Sequence, residues 1–316
     1  MATNLLRFET GGQPRWGVVS GTQIAPLSGN YATTAALIEQ GEMDWRAARI
    51  GSAAMDIGDV TILSPVTTPC RIYCQGANYR QHMIESGLDP DEKRFNMFFT
   101  KSDASITSAR AKVTRPAHVK LLDYEIELAL IFRKPIRAAM TMTPDLLPEY
   151  VFAIAIANDL SARDVQLPET QFFKGKSYRG FCPVGPWLTV LEKDEFREID
   201  NLELQLTVNG NTRQRDNTSN LVFKPCETIS ELSTFANISP GDVLLTGTPS
   251  GCALRVPPPA VRRLLQILPE RQLWKLFMKA QLRRPNYLKP GDQIGTRIWS
   301  RDHPIDLGEQ QTQIAA

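Results

Sequence analysis

The chain lacks any apolar run long enough to cross a membrane. Its 316 residues are 42% apolar and 22% charged, as in an ordinary globular protein. No stretch approaches the roughly 20 consecutive apolar residues that a membrane-spanning helix needs. The first residues also lack a basic stretch followed by an apolar core, so no secretory leader is expected. The composition therefore argues against a membrane-spanning protein.

Paired cysteines and phosphate-binding glycine loops are missing as well. The five cysteines are odd in number and scattered, and no two of them have C-x-x-C spacing. This pattern is typical of reduced thiols in a cytoplasmic protein and argues against a disulfide framework or a zinc site. Neither G-x-G-x-x-G nor a Walker loop is present, so a nucleotide cofactor is not expected.

The net charge of +2 hides an asymmetry along the chain. Residues 252–288 contain eight lysines and arginines and one glutamate, which gives this segment +7 and leaves −5 for the rest of the chain. An acidic body with one basic segment is a poor candidate for a nucleic-acid-binding protein. We therefore expect no nucleic-acid partner.

The order of strand-like and helix-like segments predicts a β-rich α+β fold. Short strands separated by glycine turns precede a helical patch near residues 34–50, and a proline-punctuated connector follows at 62–69. We place the domain boundary there, with a small N-terminal domain at 1–65 and a larger domain at 66–316. The larger domain does not alternate strands and helices regularly. Its predicted strands are residues 71–74, 125–132, 151–158, 202–208 and 243–246, and its predicted helices lie near 79–87 and 226–235.

The basic segment 252–288 is predicted to be an inserted pair of short amphipathic helices. Apolar residues follow helical spacing on both sides of Pro269, which suits the start of the second helix. The predicted apolar faces are Val261, Leu264, Leu265 and Leu268 in the first helix and Leu273, Leu276, Phe277 and Ala280 in the second. Cations recur every four residues, at Arg271, Lys275, Lys279 and Arg283. A membrane-surface or partner-binding element is one interpretation, but a hairpin packed on the body or on a second subunit is favoured.

Three acidic residues alternate with apolar ones in the run Leu122-Asp123-Tyr124-Glu125-Ile126-Glu127-Leu128. On a strand, the three carboxylates would share one face. Stacked carboxylates repel one another and resist burial unless a cation or solvent lies between them. The run by itself leaves a cation site and a solvated strand face as open alternatives.

Histidine is scarce, which narrows any histidine-dependent mechanism to three residues. His82 and Glu85 have i, i+3 spacing, so they would be neighbours on a helical turn, whereas His118 and His303 lie in turn-like contexts. A carboxylate beside an imidazole can orient it as a general base. Asp159 follows an apolar run, where an ionised carboxylate is costly unless it is paired or binds a metal.

Taken together and in order, these segments resemble the fumarylacetoacetate hydrolase family over about residues 65–308. The resemblance is carried by Phe99 with Lys101, by V-N-G at 208–210, and by longer motifs. The longer motifs are G-x-N-Y-x-x-H-x-x-E at 76–85, D-Y-E-x-E-L at 123–128, N-D-x-S-A-R-D-x-Q at 158–166, G-K-S at 175–177, P-x-G-P-W at 183–187, T-G-T-P-S-G at 246–251 and P-G-D at 240–242 and 290–292.

The resemblance implies a mixed β-roll or sandwich catalytic domain with a small N-terminal domain, assembled as a homodimer. It implies a divalent cation, usually Mg²⁺ with Mn²⁺ or Ca²⁺ as alternatives, held by Glu125, Glu127 and Asp159. Hard cations of this kind prefer such oxygen ligands. It also implies catalytic roles for His82, Glu85 and Lys176. The substrate contacts that we assign are Gln166, Thr248, Arg163 and Tyr79.

The function that we predict is hydrolysis of a C–C bond in an acylpyruvate or 1,3-diketo acid, in the catabolism of aromatic compounds or amino acids. In relatives, His82 and Glu85 match the pair that activates water, which favours this reaction. A 2-oxo acid decarboxylase of the oxaloacetate type and a hydroxymuconate-type isomerase are alternatives on the same scaffold. A non-catalytic membrane-surface or binding module is a minor alternative, motivated by the basic insertion. The insertion follows the 246–251 motif and could reshape the pocket or form a lid.

Overall fold

Strands make up most of the fold in the computed structural model, which describes residues 1–48, 54–256 and 268–316. The strands are β1 Thr3–Thr10, β2 Gln13–Ser20, β3 Gln23–Pro26, β4 Met55–Asp56, β5 Thr61–Ile62, β6 Ile72–Gly76, β7 Met97–Lys101, β8 Ile106–Ser108, β9 Lys112–Thr114, β10 Leu122–Asp123, β11 Ile126–Phe132, β12 Val151–Asn158, β13 Ser161–Ala162, β14 Cys182–Val184, β15 Trp187–Val190, β16 Leu202–Val208, β17 Asn211–Asn217, β18 Val243–Leu245, β19 Gln293–Ser300 and β20 Asp306–Ala315.

Helices are short and lie between the strands. They are α1 Thr34–Gln40, α2 Glu42–Ala47, α3 Arg80–Glu85, α4 Leu147–Tyr150, α5 Arg163–Gln166, α6 Phe172–Lys176, α7 Pro225–Ser233 and α8 Glu270–Leu282. Four 3₁₀ segments complete the described elements, at Ile57–Asp59, Asp103–Ser105, Lys193–Asn201 and Thr218–Asn220. In the described part of the chain, no helix is long and apolar enough to span a bilayer.

The large sheet has the strand order β4-β3-β2-β1-β15-β12-β11-β18-β6-β7, with β5, β8 and β14 paired beside this path. Its central strands β11 and β12 are buried on both faces, as expected of their nearly continuous apolar sequences. The N-terminal strands extend the same sheet, because β1 pairs antiparallel with β15. The domain boundary that we place between residues 65 and 66 stays a prediction.

A second sheet, ordered β17-β16-β19-β20-β9, packs on the first one. Apolar side chains of both sheets share one core cluster, including Ile154 of β12 and Leu204 of β16. The buried Gln310 of β20 also joins the layers, because its amide donates to the carbonyls of Ile156 at 2.9 Å, Pro183 at 3.1 Å and Gly185 at 3.0 Å. The fold is the β-rich α+β sandwich that the sequence predicts.

The acidic run at 122–128 is not one continuous strand. It is divided into β10, which pairs with β13, and β11, which begins at Ile126. All seven residues of the run are buried, so the solvated-face alternative is wrong. The run is buried because β11 is a central strand of the large sheet, between β12 and β18, and β10 forms a separate two-stranded sheet with β13.

The second helix of the insertion is present as α8, but its inward face differs from the predicted one. Phe277 and Met278 pack on the core, whereas Leu276 is 47% exposed. Gln281 is buried, and Ala280 is exposed. The contact face is therefore rotated toward Trp274, Met278 and Gln281, because α8 meets the body through its bulkier side chains. The first predicted helix lies outside the described residues, apart from Leu268.

Candidate active site

The ends of two central strands bring the predicted metal ligands together. In the antiparallel ladder of β11 and β12, Ile126 pairs with Asn158, so the residues flanking this pair converge. The Asp159 amide donates to the Glu125 carbonyl at 2.8 Å, and the Asn158 side chain accepts from the Glu125 amide at 3.0 Å. One carboxylate oxygen each of Glu125, Glu127 and Asp159 lies within 4.8 Å of the others, and all three residues are buried.

Three buried cations contact this carboxylate cluster. Lys176 donates to Glu125 at 2.6 Å and also to Asp159. Lys101 donates to the second Asp159 oxygen at 2.5 Å and to the Phe181 carbonyl at 3.0 Å. Although burial acts to raise it, Arg163 and Lys176 lower the pKa of Glu125 to about 2. Glu125 is therefore ionised across the physiological range.

Arg163 connects the cluster to a fourth carboxylate, Asp123. Its Nε donates to Asp123 at 2.9 Å, one Nη contacts Glu125, and the other donates to Gln166 at 2.9 Å. Asp123 also accepts from two backbone amides of the insertion, as described below. It therefore orients Arg163, and it does not belong to the cluster of possible metal ligands found among the described residues.

Glu127 differs from its neighbours because no described lysine, arginine or histidine nitrogen lies within 4 Å of it. One of its oxygens accepts from the Gly247 amide at 2.7 Å. Gly247 has a φ of +93° and lies so close to Asn78 and the Gln75 carbonyl that a side chain would be crowded there. Burial, and then the charges of Asp159 and Glu125, raise the pKa of Glu127 well above its ordinary value.

The donor set fits a divalent cation. At this site the carboxyl groups of Asp123, Glu125, Glu127 and Asp159 face three buried cations, and Glu127 is the one without a cation partner among the described residues. Its raised pKa reflects the cost of ionising a buried carboxyl group that has no cation partner, and a coordinated metal ion would offset that cost. Carboxylate oxygens are the ligands that hard divalent cations prefer. Glu125, Glu127 and Asp159 are therefore the residues that would hold the ion.

Helix α3 carries His82 and Glu85 on one turn beside the cluster. Both residues line the same cavity as the carboxylates. Burial lowers the pKa of His82 below its ordinary value of 6.5, with the Glu125 carboxylate opposing this effect and Arg163 adding to it. In the described residues, the Glu85 carboxylate contacts Arg255 and makes no hydrogen bond to His82. The pairing of His82 with Glu85 stays a prediction.

Three of the four residues predicted to contact the substrate line the cavity. Arg163, Gln166 and Thr248 belong to its wall, and Thr248 accepts from Gln214 at 2.8 Å. Tyr79 does not belong to the described wall. Its side chain is fully buried in the core, where its backbone pairs with Leu221. Tyr79 was assigned to the substrate from the sequence, but its side chain is buried in the core at the start of α3.

The cavity has a volume of about 230 Å³ and two unlike walls. The charged wall is formed by Glu125 and Glu127 of the carboxylate cluster with Lys176 and Arg163. The apolar wall is formed by Leu88, Met97, Phe99, Leu167, Phe172, Leu254 and Val256. Lys101 and Arg255 were not predicted as site residues. Lys101 could have been noticed, because Phe99 with Lys101 is one of the motifs that carry the family resemblance and residues two apart on a strand share a face. Nothing in the sequence pairs Arg255 with Glu85.

Fold and site together define an enzyme scaffold with a buried cluster of carboxyl groups that could hold a metal ion. Residues 71–315 match the profile of the fumarylacetoacetate (FAA) hydrolase C-terminal domain, and residues 4–65 match an Rv2993c-like N-terminal domain. The chain belongs to the fumarylacetoacetate hydrolase family.

Similar proteins carry the names of several related enzymes. The chain is 36% identical to the oxaloacetate tautomerase YisK of Bacillus subtilis, over 68% of this chain and 70% of that protein. It is 35% identical to the human mitochondrial oxaloacetate tautomerase FAHD2A, over 72% of each chain. The crystal structure of a fumarylacetoacetate hydrolase from Exiguobacterium antarcticum matches with a TM-score of 0.75 and 29% identity, and the match covers 99% of both chains.

Proposed function

We propose that this protein is a metal-dependent tautomerase that interconverts the enol and keto forms of a 2-oxo dicarboxylic acid of the oxaloacetate type. The observation that carries the proposal is the buried cluster of Glu125, Glu127 and Asp159, because two of its members, Glu125 and Glu127, line a cavity that His82 also lines. Relatives more than 30% identical over about 70% of this chain are named oxaloacetate tautomerases, which favours this reaction over others of the family.

The proposed cofactor is Mg²⁺, held by the three carboxylates. When bound, a divalent cation supplies Lewis-acid polarisation of the 2-oxo acid. The cluster keeps Lys176 charged, because the carboxylates of Asp159 and Glu125 raise its pKa although burial opposes this. Its fixed positive charge lies where negative charge develops on the substrate oxygen. Lys176 therefore favours the enolate over the keto form without having to move.

His82 is the proposed proton carrier. Tautomerisation requires a base to remove a proton from the carbon beside the 2-oxo group and a donor to protonate the oxygen of the resulting enolate. A neutral imidazole can accept the carbon-bound proton and then return a proton. Burial keeps the pKa of His82 below 6.5, so the ring is neutral at pH 7. Arg163, Gln166 and Thr248 are the polar side chains that would bind the carboxylate groups of the substrate.

The C–C hydrolase that the sequence favoured has weaker support. Water activation would require Glu85 to orient His82, whereas the Glu85 carboxylate contacts Arg255. Tautomerisation needs no attacking water and so does not require that pair. Oxaloacetate decarboxylation, hydroxymuconate-type isomerisation and acylpyruvate hydrolysis are the competing reactions for the test below.

The remaining proposals concern the setting of the enzyme. We propose a homodimer that acts on a small 2-oxo acid in the cytoplasm, where the unpaired cysteines would stay reduced. We propose no membrane partner. We also propose no nucleic-acid partner, because the chain outside residues 252–288 has a net negative charge.

The decisive experiment follows the ultraviolet absorbance of enol-oxaloacetate with Mg²⁺ and with EDTA, and identifies the products by NMR. We expect Mg²⁺-dependent conversion of enol to keto oxaloacetate without release of CO₂. Metal-dependent formation of pyruvate from oxaloacetate would replace the tautomerase with a decarboxylase. Release of pyruvate and a carboxylic acid from an acylpyruvate, with no tautomerase activity, would restore the hydrolase.

The metal site is tested separately by binding. Glu127→Gln keeps the shape of the side chain and removes its charge, so we expect Mn²⁺ or Mg²⁺ affinity to fall by roughly 10- to 100-fold in titration calorimetry. Glu169→Gln, an exposed glutamate that pairs with Lys174, serves as the control and should leave metal affinity unchanged. Unchanged affinity in Glu127→Gln would contradict the assignment.

A further inference from the structure

Two of the segments that line the cavity are far apart in the sequence. One segment is α3, with His82 and Glu85, and the other is the start of the insertion, which contributes Cys252, Leu254 and Val256. Arg255 lies between Leu254 and Val256 in the sequence but does not line the cavity. Its guanidinium group contacts Glu85, so this ion pair joins the start of the insertion to α3.

The insertion side of this ion pair is firmly anchored. The amides of Ala253 and Leu254 donate to Asp123 at 2.7 and 3.0 Å. The buried Gln281 of α8 donates to the Arg255 carbonyl at 2.8 Å and accepts from the Tyr287 hydroxyl at 2.8 Å. The backbone on either side of the Arg255 side chain is thus fixed to the charged cluster and to α8.

The α3 side is anchored mainly at its beginning. Asn78, just before the helix, donates to the carbonyls of Phe223 and Thr246, each at 3.0 Å. Within the helix, Arg80 pairs with Asp91, but that pair is exposed and local in sequence. Among the described residues, the Glu85–Arg255 contact is the ion pair that links the end of α3 to the insertion. Without it, the carboxyl end of this six-residue helix would lose its charged contact with the opposite wall.

We propose that Arg255 is a positioning residue that acts through Glu85 to hold α3, and with it His82, against the substrate cavity. The expected effect of Arg255 on enzyme kinetics rests on the proposed function, whereas its expected effect on the position of α3 does not. Arg255 does not touch the cavity, so its effect on the substrate must pass through Glu85. The side chain of Arg255 is 39% exposed and that of Glu85 is 26% exposed, so solvent screens the attraction between them. Loss of the pair should therefore loosen α3 only moderately.

A double-mutant cycle of Arg255→Ala, Glu85→Ala and the double variant tests this proposal. The structural measurement is hydrogen exchange of residues 80–88 in the protein without substrate. We expect each single variant to speed exchange in this segment by about 2- to 5-fold. The double variant should exchange no faster than Glu85→Ala, because the two residues form one interaction. Exchange in α8 should stay at the wild-type rate.

The functional measurement uses enol-oxaloacetate with Mg²⁺. Because a displaced His82 would slow proton transfer, Arg255→Ala should lower kcat by about 2- to 5-fold with a smaller change in KM, and Arg255→Lys should recover most of the loss. Lys279→Ala removes an exposed cation from the same insertion and is the matched control, with wild-type kinetics and exchange expected.

Three results would overturn the proposal. The first is wild-type exchange of residues 80–88 in Arg255→Ala. The second is an equal increase in exchange when Arg255→Ala is added to Glu85→Ala, and the third is faster exchange throughout α8. Either of the last two would make Arg255 a general support of the insertion. If the wild-type protein does not convert oxaloacetate, the proposed function fails, but the exchange cycle still decides the role of Arg255.

Discussion

His82 is the residue whose ionisation should govern the acidic side of the pH profile. Burial lowers its pKa below 6.5, so the neutral, proton-accepting form persists to lower pH than in a free histidine. Activity should therefore be retained as the pH falls through 6.5 and lost only below it. We expect the acidic limb of kcat/KM for enol-oxaloacetate to lie below pH 6.5.

His82→Gln provides the comparison for this pH profile. We expect it to lower kcat/KM by roughly 100- to 10,000-fold, as is typical when a general base is removed, and to abolish the acidic limb. A limb above pH 6.5 would mean that the imidazole is stabilised in its charged form. That result would contradict the physical environment described for His82.

Lys101 should matter for stability, although it was not predicted as a site residue. Its ammonium is fully buried and pairs with the equally buried Asp159. Without Lys101, Asp159 keeps only one of its two buried cation partners, Lys176. Lys101→Met should therefore lower the free energy of unfolding by about 3 kcal/mol, the low end of the cost of breaking a buried ion pair. Urea denaturation in EDTA measures this loss.

Lys112→Met is the control for Lys101→Met, because Lys112 is an exposed lysine of β9. We expect its free energy of unfolding to stay within about 0.5 kcal/mol of wild type. Equal, small effects of the two substitutions would show that the Lys101–Asp159 pair contributes nothing to the stability of the fold.

At the scale of elements, α8 offers a direct test of which helix face packs on the body. Phe277 packs on the core cluster and stacks on Trp274 with ring centroids 5.2 Å apart, whereas Leu276 is 47% exposed. We expect Phe277→Ala to cost about 1–2 kcal/mol, because the ring is only partly buried, and Leu276→Ala to cost less than about 0.5 kcal/mol. Chemical denaturation of both variants gives the comparison, and the reverse order would restore the face predicted from the sequence.

The strands show which elements the local sequence can specify. The strands predicted at 151–158 and 202–208 have those bounds in the structure. Both are rich in apolar or β-branched residues and end at turn residues, so local sequence decides them. The run at 122–128 was predicted less well. Its division into β10 and β11 depends on pairing with different partners, β13 for one and β12 and β18 for the other.

At the scale of the whole molecule, the proposed homodimer makes a prediction about mass. Phe95 is 71% exposed and Phe235 is 62% exposed, so both rings are available for contact with a second copy of the chain. We expect light scattering to give about twice the 35.3 kDa mass of one chain. A mass of one chain at micromolar concentration would contradict the dimer.

The sequence by itself determined the family, the β-rich fold and the identity of the carboxylate cluster. Glu125, Glu127 and Asp159 could be named because their motifs resemble those of the fumarylacetoacetate hydrolase family, whereas the acidic run alone left a solvated strand face as an alternative. The helical spacing of His82 and Glu85 was equally visible, because neighbours on one turn depend on local geometry alone.

Only the tertiary structure decided how these groups are paired. The contacts of Lys101 with Asp159 and of Arg255 with Glu85 join residues 58 and 170 positions apart. The inward turn of Tyr79 and the rotated face of α8 likewise depend on which surfaces meet after the sheets have packed. Local periodicity does not encode such contacts, because it records which side chains prefer burial but not which partner each of them will meet.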